Sequence, residues 1–525
     1  MTQRLQPWLA EDEASTWAGR ALTWLARFRD PQTLIWRLIV GMIVLGILLR
    51  LADLSFPMRF TFDEDHFLVN ARNYAEGLPD RNDHPPLGKW IILVGMKLFG
   101  DEGFGWRFFP CVFGICSIPL AYGVARTVFR SALAGGVAAA LVAMDGFFIA
   151  YSRTALLDGM MTTLLLAVAL VMLRARRFWH VALACLLLGL AASLKWSALT
   201  FGLPLLVMTL GLGYPSRRSV LALILVPAVC YAIFAAGLRM TGKPYGPRGV
   251  YARVEHLVRA HMGATKWEHR FCSKWYTWPL AKRPLLLRID DYGERVRPML
   301  TLGNPLVWWG GSLAVGVAFV GGLGSYGWSL LRRWRPVRNK PKAKPKSEPG
   351  SERGSGSEAT PASQRAARPK SESKPDEETE SDSSRDSGVE AASDGESKSD
   401  VSTDDRREAK AGASTKSAPA SPTRPGFFET HRVGLLLLVL FYVSPILPWT
   451  TGVRDTFLYH YLPAYAFAVL LFSGMLAHLL ERRRALGWPI WIAVLVVAVL
   501  YAPISSQIPM SRKEYDLRML LDSWK

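Results

Sequence analysis

Apolar residues along this chain gather into blocks instead of recurring at the spacing of a one-faced helix. Leu34–Leu54, Val220–Leu238, Gly303–Gly327 and Pro489–Pro503 are such blocks, and several approach the ~20 residues that cross a bilayer as a helix. Short turns rich in arginine separate them. Only helices and closed barrels satisfy their backbone inside lipid, and no run of short alternating strands is present. The pattern therefore predicts an all-α, polytopic membrane protein with about eleven crossings.

With the N-terminus in the cytoplasm, the basic turns fall on one side: Arg126 and Arg130, Arg174 with Arg176 and Arg177, Arg217 and Arg218, Arg332, Arg333 and Arg335, and Arg482–Arg484. Basic turns stay cytoplasmic, which sets this orientation. Two longer segments, 55–105 and 239–301, then lie outside. In the first, Phe67–Ala75 and Leu87–Leu98 are expected as short helices along the membrane surface, separated by the helix-breaking Pro85-Pro86. The second is rich in aromatic and basic residues, such as Lys274-Trp275-Tyr276, and is expected to form a partly helical lid. Over 336–428, Lys, Ser, Glu, Asp, Pro and Ala displace large apolar side chains. Such a composition cannot offset the entropy of ordering. A disordered cytoplasmic linker is expected there, between transmembrane regions 1–335 and 429–525. Glu11, Asp12 and Glu13 interrupt the N-terminal stretch, so no secretory signal is expected in it.

The net charge of +20 changes this picture little. Its arginines punctuate the apolar blocks, as topology requires, and nucleic-acid binding is not expected. Cys111, Cys116, Cys185 and Cys230 lie in or beside apolar blocks, as small buried hydrophobes do, and suggest no disulfide or metal framework. No phosphate-binding Gly-x-x-x-x-Gly-Lys-Ser/Thr loop occurs, and no His/Asp set has metal-ligand spacing.

Candidate chemistry begins with Thr61-Phe62-Asp63-Glu64-Asp65-His66-Phe67, directly after the first block. A charge within the membrane costs about 2.5–3.5 kcal/mol on insertion scales, so this cluster faces water, a partner or a substrate. A catalytic role competes with that of a solvated helix end. Four further patches fall on the same face: Asn82–Lys89, Ser152-Arg153 with Leu157-Asp158, Lys195-Trp196, and Arg454–Pro463. Acids and bases converging at one interface suit a reaction between an anionic lipid headgroup and a polar acceptor.

In these motifs the chain resembles the protein O-mannosyltransferase family of polyprenyl-phosphate-sugar glycosyltransferases, in its bacterial form. Phe62-Asp63-Glu64, His84–Lys89, Ser152-Arg153 with Leu156-Leu157-Asp158, Trp278-Pro279-Leu280, Gly303-Asn304-Pro305 with Trp308-Trp309, and Tyr459–Pro463 stand in the family's order. Each is weak alone, but the ordered set is specific and spans most of the chain outside the linker. One departure is Asn82, where eukaryotic members carry an acid; here Asp83 directly precedes His84.

The resemblance implies a multi-helical GT-C fold. It also implies inverting transfer of mannose from polyprenyl-phosphate mannose to Ser or Thr hydroxyls of exported proteins. The reaction is expected at the outer face of the cytoplasmic membrane, without a metal or other cofactor. Contact with the secretion machinery would fit. Asp63 is then the base that takes the hydroxyl proton, while Glu64 either assists or pairs with a nearby base. The departing lipid phosphate needs positive charge and donors, for which His84, Lys89, Arg107, Arg153 and Arg454 are candidates. His84 is alternatively a structural cap beside Pro85, and Arg107 and Arg153 are alternatively interfacial arginines. Lys195 is either a phosphate contact or an outer helix end. Asp83, Asp158 and His460 are expected in the site wall, Asp158 paired with an arginine. The same fold and donor with a lipid A, other lipid or glycan acceptor is the alternative. A transporter is the third reading, disfavoured because the charges gather at one rim.

Overall fold

The first block folds as α1 (Pro31–Leu51), and the loop after it leads to α2 (Glu64–Glu76) and α3 (Leu87–Phe99). Both short helices occupy the stretches expected of them, with Pro85-Pro86 just ahead of α3. This computed structural model describes residues 31–213, 215–262, 270–334, 426–451 and 456–524. Most of the expected linker and Arg454 lie outside the described residues. Next come α4 (Gly103–Phe129), α5 (Ala132–Met144), α6 (Gly146–Ser152), α7 (Leu157–Leu173) and α8 (Phe178–Ala192). After an irregular helical stretch follow α9 (Leu225–Met240) and α10 (Pro247–Met262). The remaining long helices are α11 (Pro305–Trp334), α12 (Phe427–Val443), α13 (Leu462–Arg482) and α14 (Arg484–Ser506).

Among the described residues, seven helices are long and apolar enough to cross a membrane, or eight if α5 and α6, bent by 59°, form one span. Leu157–Leu173, Phe178–Ala192 and Trp196–Gly211 are apolar but shorter. Length and composition thus stop short of the roughly eleven crossings expected. Part of each apolar run there is taken up by turns, and Trp196–Gly211 winds partly as tighter and wider helix.

The second outer segment also differs from expectation. α10 and the 3₁₀ turn Trp275–Leu280 are helical, but β1 (Leu286–Asp291) and β2 (Arg295–Leu300) pair as an antiparallel hairpin, and β3 (Met510–Ser511) adds to β2. The signal was local: Gly293 takes φ +83° at the turn, which glycine adopts without steric penalty. Alternating burial over Arg295-Val296-Arg297-Pro298 follows the two-residue strand period.

The bundle has two chemically distinct ends. At one, the loop after α1 meets the start of α4 and the α6–α7 turn, while Lys195, after α8, meets Asp158 on α7. At the other, Arg174 bonds Thr127, His431 contacts the Val128 carbonyl and Ser131 bonds Glu481. The turns carrying Arg126 and Arg130, Arg174, and Arg482–Arg484 belong to this second end.

Asp145 locks the middle. It sits at the α5–α6 bend and caps α6 by accepting from Phe147 N at 3.0 Å. It also accepts from Asn304 N at 2.9 Å and Tyr465 Oη at 2.7 Å. A Cβ on Gly303 would stand 2.5 Å from Asp145 Oδ2, so glycine is required there. Asn304 caps α11 through Leu306 N and donates to the Val494 carbonyl, and Pro305 opens the helix where its missing N–H does no harm. Trp308, Ser312 and Trp309 donate to the carbonyls of Trp278, Pro279 and Leu280. Two of the sequence motifs are therefore halves of one joint between the outer segment and α11.

Replacing Asp145 by Ala would strand these donors inside the bundle, at about 1–3 kcal/mol for each group left unbonded. A lowered Tm and a smaller folded fraction in detergent are expected, measured by thermal unfolding and size-exclusion recovery.

Candidate active site

Three arginines shape the rim after α1. Arg153 Nη1 donates to the carbonyls of Leu49 at 2.7 Å, Arg50 at 3.2 Å and Ala52 at 2.6 Å, and Nη2 to Asp53 O at 3.2 Å. The carbonyls of Leu49 and Arg50 are among the last of α1, which lack helical partners and carry the negative end of its dipole; Ala52 and Asp53 follow the helix directly. Arg50 does the same for α5, donating to the carbonyls of Val142 and Ala143, and reaches Ser152 Oγ at 3.1 Å. Arg107 binds Glu64 in fork geometry, Nε to Oε1 and Nη2 to Oε2, both at 2.8 Å. It also donates to Pro57 O at 2.9 Å and Arg59 O at 3.2 Å. Arg107 and Arg153 are thus backbone clamps, an arrangement that neither the phosphate-contact nor the snorkelling expectation describes.

Glu64 is fully buried, like Arg107. Besides the arginine it accepts from Thr61 N and Ala155 N, each at 2.8 Å. A carboxylate offers about four lone-pair directions, and all are filled, so Glu64 has none left for a substrate.

Asp63 is the opposite case. It occupies the N-cap position of α2 without making a capping bond, and no hydrogen bond engages its carboxylate among the described residues. Phe62 before it takes φ +49°, a left-handed conformation that costs a bulky residue about 1–2 kcal/mol. The Glu64–Arg107 network on its far side holds that strain and aims Asp63. Burial pushes the Asp63 pKa above the ordinary carboxylate range; the positive charges of His66 and Lys195 oppose the shift, and Asp65 and Asp158 add to it.

Asp158 pairs with Lys195, both of its oxygens 3.0 Å from Nζ. The expected arginine partner is replaced because Arg153 is turned onto α1. Lys195 Nζ lies 4.7 Å from the centre of the Tyr459 ring, and Tyr459 meets Phe62 edge-on at 6.3 Å. His460 stacks 3.7 Å from Trp449 and 4.2 Å from Tyr459, which places it behind the site wall.

A second cluster supports the His-Pro-Pro loop. Lys89 is fully buried and donates to Asp80 Oδ2 at 2.5 Å and His84 O at 2.7 Å. Burial lowers its pKa to about 8, against the pull of Asp80. Asp80 also accepts from Tyr74 Oη at 2.7 Å and Asn82 N at 3.0 Å, with Arg253 3.7 Å away. The acid that braces the loop is therefore Asp80, which no motif in the sequence singled out. Asn82 instead turns the loop by accepting from His84 N at 2.9 Å. Asp83 is exposed. The His84 ring sits 5.8 Å from those of Phe67 and His261, which joins this loop to α2.

Comparison with known proteins identifies this arrangement. Residues 83–238 match the family model described as dolichyl-phosphate-mannose-protein mannosyltransferase. Residues 254–349 with 421–524 match the C-terminal four-helix region of protein-O-mannosyltransferase. A polyprenol-phosphate-mannose–protein mannosyltransferase of Mycobacterium tuberculosis is 30% identical over 367 residues, covering 54% of this chain and 68% of that relative. One from Mycolicibacterium smegmatis is 29% identical over 356 residues, covering 53% and 66%. The chain belongs to the protein O-mannosyltransferase family.

Its fold agrees with that of the S. cerevisiae protein O-mannosyltransferase Pmt1-Pmt2 complex bound to the sugar donor, with a TM-score of 0.64 at 12% identity, over 93% of this chain and 92% of that one. This protein O-mannosyltransferase is thus an integral membrane glycosyltransferase with the GT-C architecture its motifs implied. Among its described residues, no three His, Cys, Asp or Glu side chains are grouped to hold a metal ion.

Within this family member the neighbouring acids of the rim should separate by experiment. Arg107→Ala leaves Glu64 as an unpaired buried charge, a change that costs about 3–5 kcal/mol. Thermal unfolding in detergent should show a marked loss of stability for Arg107→Ala. Asp63→Asn should leave Tm close to that of the wild type, because it breaks no bond.

Proposed function

We propose that this chain transfers mannose from polyprenyl-phosphate mannose to Ser or Thr hydroxyls of exported polypeptides, with inversion, at the outer face of the cytoplasmic membrane. The names of its mycobacterial relatives support the donor and the protein acceptor. The observation that carries the reading is the unbonded, part-buried Asp63 beside the Asp158–Lys195 pair. The arginine turns gather at the opposite end, which supports an outward-facing Asp63. Polypeptides leaving the secretion machinery would meet it there.

A hydroxyl is a poor nucleophile until its proton is removed, and a positioned carboxylate with a raised pKa suits that task. In one displacement the acceptor oxygen bonds to the anomeric carbon from the face opposite the phosphate, and the bond to the phosphate oxygen breaks. The proton passes to Asp63, and polyprenyl phosphate leaves as an anion. Lys195 and His84 supply charge and donors toward that anion. Lys89 acts through the His84 loop, and Arg107 and Arg153 act through the backbone they clamp. No metal is needed in this scheme.

The test is transfer by purified full-length protein, with EDTA present, from labelled polyprenyl-phosphate mannose to a Ser/Thr peptide. Wild type should form mannosyl-peptide, and Asp63→Asn should lose about 10²-fold or more, the worth of a general base. Near-normal transfer by Asp63→Asn removes Asp63 from that role, and labelled lipid in place of peptide moves the acceptor.

The base works only when ionised, so transfer should fail as pH falls through the raised pKa of Asp63. The acid limb of kcat/KM should therefore lie above the ~3.9 of an ordinary aspartate. A pH–rate profile checks this, and a limb at or below the ordinary value contradicts it.

A further inference from the structure

Tyr151 closes α6, one residue before Ser152-Arg153, and is 1% exposed. Its ring meets Phe147 edge-on at 5.4 Å. A Cβ on Gly159 would lie 3.4 Å from Tyr151 Cβ, so the tyrosine packs on the first turn of α7, beside Asp158. Asp158 on that turn pairs with Lys195, whose Nζ lies 4.7 Å from the centre of the Tyr459 ring. The tyrosine therefore packs beside the Asp158–Lys195 pair and Tyr459.

Its hydroxyl has no hydrogen-bond partner among the described residues. Other buried tyrosines of the bundle are bonded: Tyr465 donates to Asp145 at 2.7 Å, and Tyr442 and Tyr461 share a bond of 3.1 Å. Buried hydroxyls are almost always partnered, because an unbonded one forfeits its hydration without return. A phenylalanine would fill the same space without that penalty.

The surroundings say what partner fits. Both oxygens of Asp158 face Lys195, which keeps a further N–H available. Asp63 accepts no hydrogen bond among the described residues. This group of side chains thus offers two donors, from Lys195 and Tyr151, beside the Asp63 carboxylate. We propose that the Tyr151 hydroxyl donates a hydrogen bond to an oxygen of the sugar phosphate of the bound lipid donor. This inference rests on the reading of the Asp63 site as the place of transfer. Tyr151 takes no proton in the reaction; it holds the donor headgroup against Lys195 while Asp63 faces the acceptor.

The experiment uses the purified full chain carrying Tyr151→Phe. Affinity for polyprenyl-phosphate mannose is measured without acceptor peptide, and for polyprenyl phosphate alone in parallel. Affinity for the mannosylated donor should fall about tenfold to hundredfold, the worth of a hydrogen bond to a charged or polar substrate oxygen, and kcat/KM should fall with it. The Tm of the unliganded variant should equal or exceed that of wild type. An equal loss for both lipids assigns the bond to a phosphate oxygen; a loss for the mannosylated lipid alone assigns it to a sugar hydroxyl. Donor affinity within about twofold of wild type overturns the proposal, since no hydrogen bond of ordinary strength would then be missing. So does a lowered Tm in the unliganded variant, which would mean that the hydroxyl is bonded within the protein. Because donor binding is read without transfer, failure of Asp63 as the base would show in the Asp63→Asn assay and leave the binding result for Tyr151 intact.

Discussion

The buried ion pair of Glu64 and Arg107 governs the geometry of everything at the rim. Two opposite charges taken out of water are tolerated only where their attraction and full hydrogen bonding offset the lost hydration. Here the guanidinium fork meets both carboxylate oxygens, and its other donors reach the loop carbonyls at Pro57 and Arg59. The carboxylate in turn fixes Thr61 N and Ala155 N. Loop, α4 and the α6–α7 turn are thereby tied at one point, and Phe62 is held in a conformation it would not choose alone. Lysine would not substitute for this arginine, since a point charge cannot match both oxygens and the carbonyls at once. Adjacent acids thus meet different surroundings: the lone pairs of Glu64 are filled, whereas Asp63 makes no hydrogen bond among the described residues.

Around that point the helix ends are satisfied by exchange. α1 carries Arg50, which closes the end of α5, and the turn after α6 carries Arg153, which closes the end of α1. Inside a membrane no water is at hand for such carbonyls, so each charged side chain meets a need that its neighbour creates. The same economy runs through Asp145, where a bent helix, the start of α11 and a tyrosine of α13 share one carboxylate.

Much of this was legible in the sequence. Apolar blocks and basic turns indicated the helical membrane fold, Pro85-Pro86 separated the two surface helices, and the ordered motifs pointed to the family. What the sequence concealed was direction. An arginine next to a membrane helix looks the same whether its fork faces a phosphate or a backbone carbonyl, so the clamps at Arg107 and Arg153 looked like anion sites. Asp80 escaped notice because a single acid in a loop has no periodicity, and only the fold brings Lys89, Tyr74 and Arg253 to it. The hairpin of β1 and β2 hid in a segment whose aromatic and basic residues suggested a surface helix. The number of crossings could not be counted from apolar length alone, since the hydropathy of a run does not say where its helix stops.

The Trp278–Leu280 joint fixes the start of α11, and the 30 residues of that helix carry the chain about 45 Å away at 1.5 Å per residue. The last turn of α11, at Trp334, therefore lies far from the joint that fixes its first. α12 begins beside the middle of α11, where a Cβ on Gly321 would meet the Phe428 ring. A small tilt at the joint would swing the far end of α11 on a lever of about 45 Å, so the carbonyls of Trp278, Pro279 and Leu280 set the pitch of a whole helix from one end.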